Sequence, residues 1–92
     1  MRIAGYIDHP ILKITIFQME NRFSVKFEDP HLEQTYKFRQ GPGLESVADI
    51  KRLIDASFMN KVIEQMRTMR KLQVDTLRRR TEEAEDEFDD IL

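Results

Sequence analysis

The side chains with the most chemistry to offer are two histidines and the carboxylates around them. His9 stands in Asp8-His9-Pro10 ahead of an apolar run, and His31 closes Glu28-Asp29-Pro30-His31 between two further runs. If those runs are strands of an antiparallel meander, both segments fall at one end of the sheet. His9, His31, Asp8, Glu28 and Asp29 are then the weak candidates for a nitrogen–oxygen metal site. Turns collect Asp, Pro and His for backbone reasons alone, and metal sites usually show tighter spacing. The sequence therefore assigns no metal and no cofactor. It sets no serine or threonine as a nucleophile beside either histidine and has no paired-carboxylate motif, so no enzyme is expected. A small metal-binding protein or enzyme using His9 and His31 stays as an alternative. Gly41-Pro42-Gly43 precedes a helix, where free N–H groups favour anions. It matches neither a dinucleotide fingerprint nor a P-loop, and reads as a strand-to-helix connection.

Charge is the second feature. Lys and Arg number 15 and Asp and Glu 17, for a net charge of -2. Residues 1–66 hold nine basic and nine acidic side chains, so the imbalance lies beyond them. Arg67, Arg70, Lys71, Arg78, Arg79 and Arg80 against Asp75 make a block of +5, and the seven acids from Glu82 to Asp90 make one of -7. The basic block suggests nucleic-acid phosphates as an alternative partner. A pI near 5.7, the adjoining acids and the lack of aromatic residues among the basic ones argue against it. A membrane surface is not expected either, since the apolar face of this helix offers methionine and no aromatic anchor beyond Phe58.

The last seven residues, Asp86-Glu87-Phe88-Asp89-Asp90-Ile91-Leu92, resemble the acidic, apolar-tipped C-terminal peptide of bacterial single-stranded-DNA-binding proteins. The resemblance is confined to these residues and lacks the Pro-Phe ending. It implies docking of the tail in a basic-rimmed pocket of a partner protein. The N-terminal part shows no oligonucleotide-binding barrel.

The elements that would position these groups follow from periodicity. Ile11–Met19 is rich in β-branched and aromatic residues. Phe23, Val25 and Phe27 alternate with polar residues, and so do Leu32, Gln34, Tyr36 and Phe38, which is the period of half-buried strands. Glu20-Asn21-Arg22 and Asp29-Pro30 are the breaks between them. The expected inner face is Leu12, Ile14, Ile16, Phe23, Val25, Phe27, Tyr36 and Phe38. The first of these strands also carries Ile11, Phe17 and Met19 on its other face, a hazard for an edge strand. Either Arg2–Ile7 pairs beside it or a second subunit does.

Ser46 is a good N-cap with Asp49 three residues on. From Val47 no Pro or Gly interrupts the chain, and apolar residues recur at helical spacing through Ile50, Leu53, Ile54, Phe58, Met59, Val62, Ile63, Met66, Met69 and Leu72. A single helix from Val47 to Arg80 would run roughly 50 Å, against about 30 Å for a domain of this size. The helix must break, near Asp55-Ala56-Ser57, or project beyond the sheet, or both. Ala84, Phe88, Ile91 and Leu92 form one more apolar stripe within the acids.

With 92 residues the chain is one domain. Cysteine is absent, which removes disulfides and leaves association as the simplest way to add buried area. No secretory signal or membrane span is expected, so the compartment is expected to be the cytoplasm. The expected architecture is α+β: a three-stranded, possibly four-stranded antiparallel β-meander followed by one long or broken C-terminal helix, in a dimer. Residues 1–58 would form the core with the first helix, and residues 59–92 a charge-segregated interaction segment. The expected function is a non-enzymatic homo-oligomeric protein–protein interaction module. Phe17, Met59, Val62, Met66, Met69, Arg78, Arg79, Arg80, Phe88 and Leu92 are its candidate interaction residues, toward a second copy or another protein partner.

Overall fold

The computed structural model describes the backbone of residues 1–91 and the side chains of residues 1–82. Its elements are β1 (Arg2–Ile7), β2 (Lys13–Met19), β3 (Arg22–Glu28), β4 (Glu33–Arg39), α1 (Val47–Leu53) and α2 (Ala56–Ile91). The strands form one antiparallel sheet in the order β1-β2-β3-β4. The expected α+β meander with a C-terminal helix is present, and the strand count is four. Arg2–Ile7 pairs along β2, so β2 is not the exposed, two-faced edge that three strands would leave. Ile11 lies outside β2, in the turn before it, and is 74% exposed. The sequence hides β1 because its register slips between Ile3 and Gly5, which spoils the period-2 alternation. Gly5 also serves packing: a Cβ there would lie 3.2 Å from Val47 Cγ1, so glycine eases the close approach of β1 and α1.

Alternation sorts the faces of the sheet. Ile14 faces Phe27 and Ile16 faces Val25 across β2 and β3, and all four are buried. Leu12 and Phe23 join them, while Tyr36 and Phe38 on β4 are half-buried at the margin. The helices cover this face: Ile50 of α1, Ile54 between the helices, and Val62 and Met66 of α2 close the core. Phe58, in the first turn of α2, packs against Phe27 and Tyr36 with ring centroids 5.9 and 5.3 Å away. The polar residues Thr15 and Ser24 are buried, and so is Gln34. Its Nε2 donates to the Val62 carbonyl at 2.9 Å and its Oε1 accepts from the Tyr36 hydroxyl at 2.6 Å. Those bonds offset the cost of burying an amide and tie β4 to α2.

The connections follow local chemistry. Gly43 takes φ +82 in the loop before α1, a conformation that favours glycine. Ser46 Oγ accepts from the Asp49 N–H while Asp49 Oδ2 accepts from the Ser46 N–H, the reciprocal capping box. The helix then breaks at Ile54 and Asp55, at the start of the expected Asp55-Ala56-Ser57. The Ile54 N–H still bonds to Ile50, and Asp55 Oδ1 caps the next helix by accepting from the Phe58 N–H at 2.9 Å.

The break does not keep α2 within the sheet's length. α2 has 36 residues, about 54 Å at 1.5 Å each, while a seven-residue strand covers about 23 Å. The molecule measures 65 × 26 × 19 Å, so the expected projection is present together with the expected break. Met69 is the last side chain of α2 that packs on the core among the described residues, and from Arg70 to Glu82 every side chain is exposed. No described helix is long and apolar enough to cross a membrane.

Candidate functional site

The place where α2 leaves the sheet is built by the turn between β3 and β4. Asp29 Oδ1 accepts from the N–H groups of His31 and Leu32, both at 2.8 Å. The turn between β1 and β2 repeats this design with another residue type. His9 Nδ1 accepts from the N–H groups of Ile11 and Leu12 at 3.2 and 3.1 Å. In each turn the residue before proline, at position 9 or 29, accepts from the backbone two and three residues on. The two turns are thus a local structural repeat with a 20-residue offset.

Those turn bonds occupy atoms of two of the weak metal candidates. His9 Nδ1 and Asp29 Oδ1 are committed to backbone donors, Asp29 Oδ2 pairs with Arg70, and Glu28 pairs with Lys26 at 3.8 Å. Although the two turns share one end of the sheet, among the described residues no group of three or more His, Cys, Asp or Glu could hold a metal ion. Glu28 ends β3, Asp8, His9, Asp29 and His31 stand in the two turns, and the side chains of His9 and Asp29 hold those turns by accepting backbone hydrogen bonds.

The β3–β4 turn grips α2 at two points. Arg70 forms an ion pair with Asp29, and Gln73 Nε2 donates to the His31 carbonyl at 3.2 Å. The Asp29 carboxyl is held below its ordinary value, first by the His31 N–H, and further by the Leu32 N–H and the Arg70 guanidinium, against partial desolvation. Beyond Gln73 the helix runs free of the sheet.

A groove of about 770 Å³ opens at this exit, lined by His31 and Leu32 from the turn and by Met69, Leu72, Gln73 and Leu77 among others from α2. Leu72 is 67% exposed, Val74 47% and Leu77 62%. Val74 and Leu77 share one face of the projecting segment, and Leu72 is exposed on another face at its exit from the sheet. Arg70 lines the groove, and Arg67, Lys71, Arg78, Arg79 and Arg80 are exposed along the same helix.

The candidate interaction residues fall into separate places. Val62 and Met66 are in the chain's own core, with Met59 and Met69 half-buried against it. Phe17 is half-buried on the opposite face of the sheet, paired across the strands with Ile3 and Ser24. Phe88 and Leu92 lie outside the residues whose side chains are described. The structure brings forward Leu72, Val74, Leu77, Leu32 and Ile11 instead. Of these, Val74 and Leu77 escaped the reading of the methionine stripe. Their signal is a regular spacing that runs on into the acidic block. Comparison of the chain with protein-family models, with curated proteins and with solved structures gives no match.

Proposed function

We propose that this protein is a non-enzymatic interaction module that associates with a second copy of itself through the projecting part of α2. The observation that carries this reading is the exposure of Val74 and Leu77 on one face of a helical segment past its last contact with the sheet. Leaving such a surface in water forgoes about 1.5–3 kcal/mol for each large aliphatic side chain, so a partner gains by covering it. Charge supports a second copy as the partner. A helix carrying +5 and then -7 along its length complements a second copy laid in the opposite sense, basic block against acidic block. Catalysis has no comparable support, because the turn histidine His9 and Asp29 are engaged in holding the turns. Nucleic acid is favoured less: Arg70 is tied to Asp29, and no aromatic residue stands within 67–80 to stack on a base.

Multi-angle light scattering over a micromolar concentration series at moderate salt tests the reading. The expected mass is twice 11.0 kDa. A mass of 11.0 kDa at every concentration would remove it.

A further inference from the structure

The orientation and register of that association are written into α2. Val74, Leu77, Thr81, Ala84, Phe88 and Ile91 follow one another at spacings of 3, 4, 3, 4 and 3. That is an uninterrupted heptad seam, and it begins where α2 has left the sheet. The backbone is helical through Ile91, so this chain's own acidic end cannot fold back onto its basic block. The first two members, Val74 and Leu77, are exposed and line the groove at the exit. The Thr81 hydroxyl donates to the Leu77 carbonyl at 3.0 Å, so covering it strands no donor.

We infer that two copies pair through this seam as an antiparallel two-helix coil whose two-fold axis passes between Glu82 and Glu83. The inference rests on the self-association proposed above and adds its geometry. Antiparallel coils stack an a-type position of one helix on a d-type position of the other. With the axis placed there, Val74 meets Ile91, Leu77 meets Phe88 and Thr81 meets Ala84, each contact occurring twice by symmetry. The flanking positions then set Arg78 beside Glu85 and Arg80 beside Glu87 of the second copy, again twice. Opposite charges at such positions select partner and orientation.

The alternatives are poorer on charge, including the slip that keeps Lys71 beside Glu85. A slip of one heptad in one direction sets Arg78 against Arg78 and Arg80 against Arg80 across the axis. A slip in the other direction sets Glu85 against Glu85 and Glu87 against Glu87. Parallel pairing lays the +5 block on the +5 block and the -7 block on the -7 block, and like charges held together are destabilising. The favoured register overlaps residues 74–91, about 27 Å of helix. It brings the end of the second copy's seam to the groove lined by Leu32, Leu72 and Gln73, so the groove is the mouth of the interface.

The chain has no cysteine, so introduced thiols report the geometry cleanly. Val74→Cys and Ile91→Cys are made as separate full-length chains and oxidised alone and as an equal mixture. Val74 is exposed, and unchanged unfolding of each variant checks that the folded core is intact. The expected result is a disulfide dimer in the mixture only. Within one antiparallel pair the two Val74→Cys thiols are separated by about 26 Å of helix. Dimer formation by Val74→Cys alone would overturn the antiparallel arrangement while leaving self-association standing. Absence of crosslinks from protein that scatters as a dimer would place the interface elsewhere and overturn the register. Only a monomeric mass would remove the underlying reading as well.

Discussion

Val62 and Leu77 stand on the same uninterrupted helix and are both large aliphatic residues, yet one is 2% exposed and the other 62%. Nothing local separates them. The difference is what lies beneath. Val62 sits over the sheet, next to the Gln34 amide that its carbonyl accepts from, and Leu77 sits past the last contact with the β3–β4 turn. Apolar spacing specifies a face and leaves open whose core that face enters. The first part of α2 fills the chain's own core, and the second part repeats the pattern where the chain supplies no surface to meet it.

Substitutions that strike one region and spare the other sharpen this contrast. Phe27→Ala should have the largest effect on folding. Phe27 is fully buried among Tyr36, Phe58 and the strand residues, and such truncations cost about 3–5 kcal/mol. A urea titration in which Phe27→Ala unfolded like the parent chain would show that the core is misplaced.

Next come the charges of the projecting part. Arg78→Glu with Arg80→Glu makes every flanking pair of a homodimer repulsive, and so does Glu85→Arg with Glu87→Arg. Each doubly substituted chain should be monomeric alone, and the two should form a heterodimer when mixed. Exposed pairs are worth roughly 0.2–1 kcal/mol each, so four lost pairs shift the association constant by about tenfold or more. Heterodimer formation that did not exceed homodimer formation, measured by native mass spectrometry, would contradict the pairing.

The smallest effect belongs to the hinge between the two regions. The Asp29 carboxyl titrates below its ordinary value of 3.8. Its stabilising contribution is therefore complete above that value and is lost as the pH falls through the lowered one. Asp29→Asn should flatten this part of the acid dependence of the urea midpoint. The helix end beyond Gln73 should be unaffected. Equal acid sensitivity of the two proteins would show that the Asp29 turn contributes nothing through its charge.

Much of this fold could be read in advance, and the failures have physical causes. Alternation in β3 and β4, the β-branched and aromatic run of β2, the Ser46–Asp49 capping box and the helix break near Asp55-Ala56-Ser57 are local signals, and local structure obeys them. β1 was legible only as an option, because a register slip at Gly5 erases its period. Gln34 looked like an ordinary strand residue, since the carbonyl that satisfies it comes from Val62, far along the chain. The shared design of the turns at His9 and Asp29 is not legible in the sequence, because imidazole and carboxylate perform the same backbone task with different chemistry. The candidate site was the least legible part. The methionine stripe directed attention to Met59, Val62 and Met66, which α2 spends on its own sheet, and only the length of the sheet shows where own-core packing stops.

The most direct test of the projecting half is light scattering on the parent chain beside Leu77→Lys, at matched micromolar concentrations, with a urea titration of each. Burying a leucine contributes about 1.5–3 kcal/mol, twice over in a symmetric pair, so the substitution should weaken association by about a hundredfold or more. The account predicts a parent mass of twice 11.0 kDa, a monomeric Leu77→Lys, and the same unfolding transition once both are monomeric. A parent chain that remains at 11.0 kDa, or a Leu77→Lys protein that associates as the parent does, would contradict it.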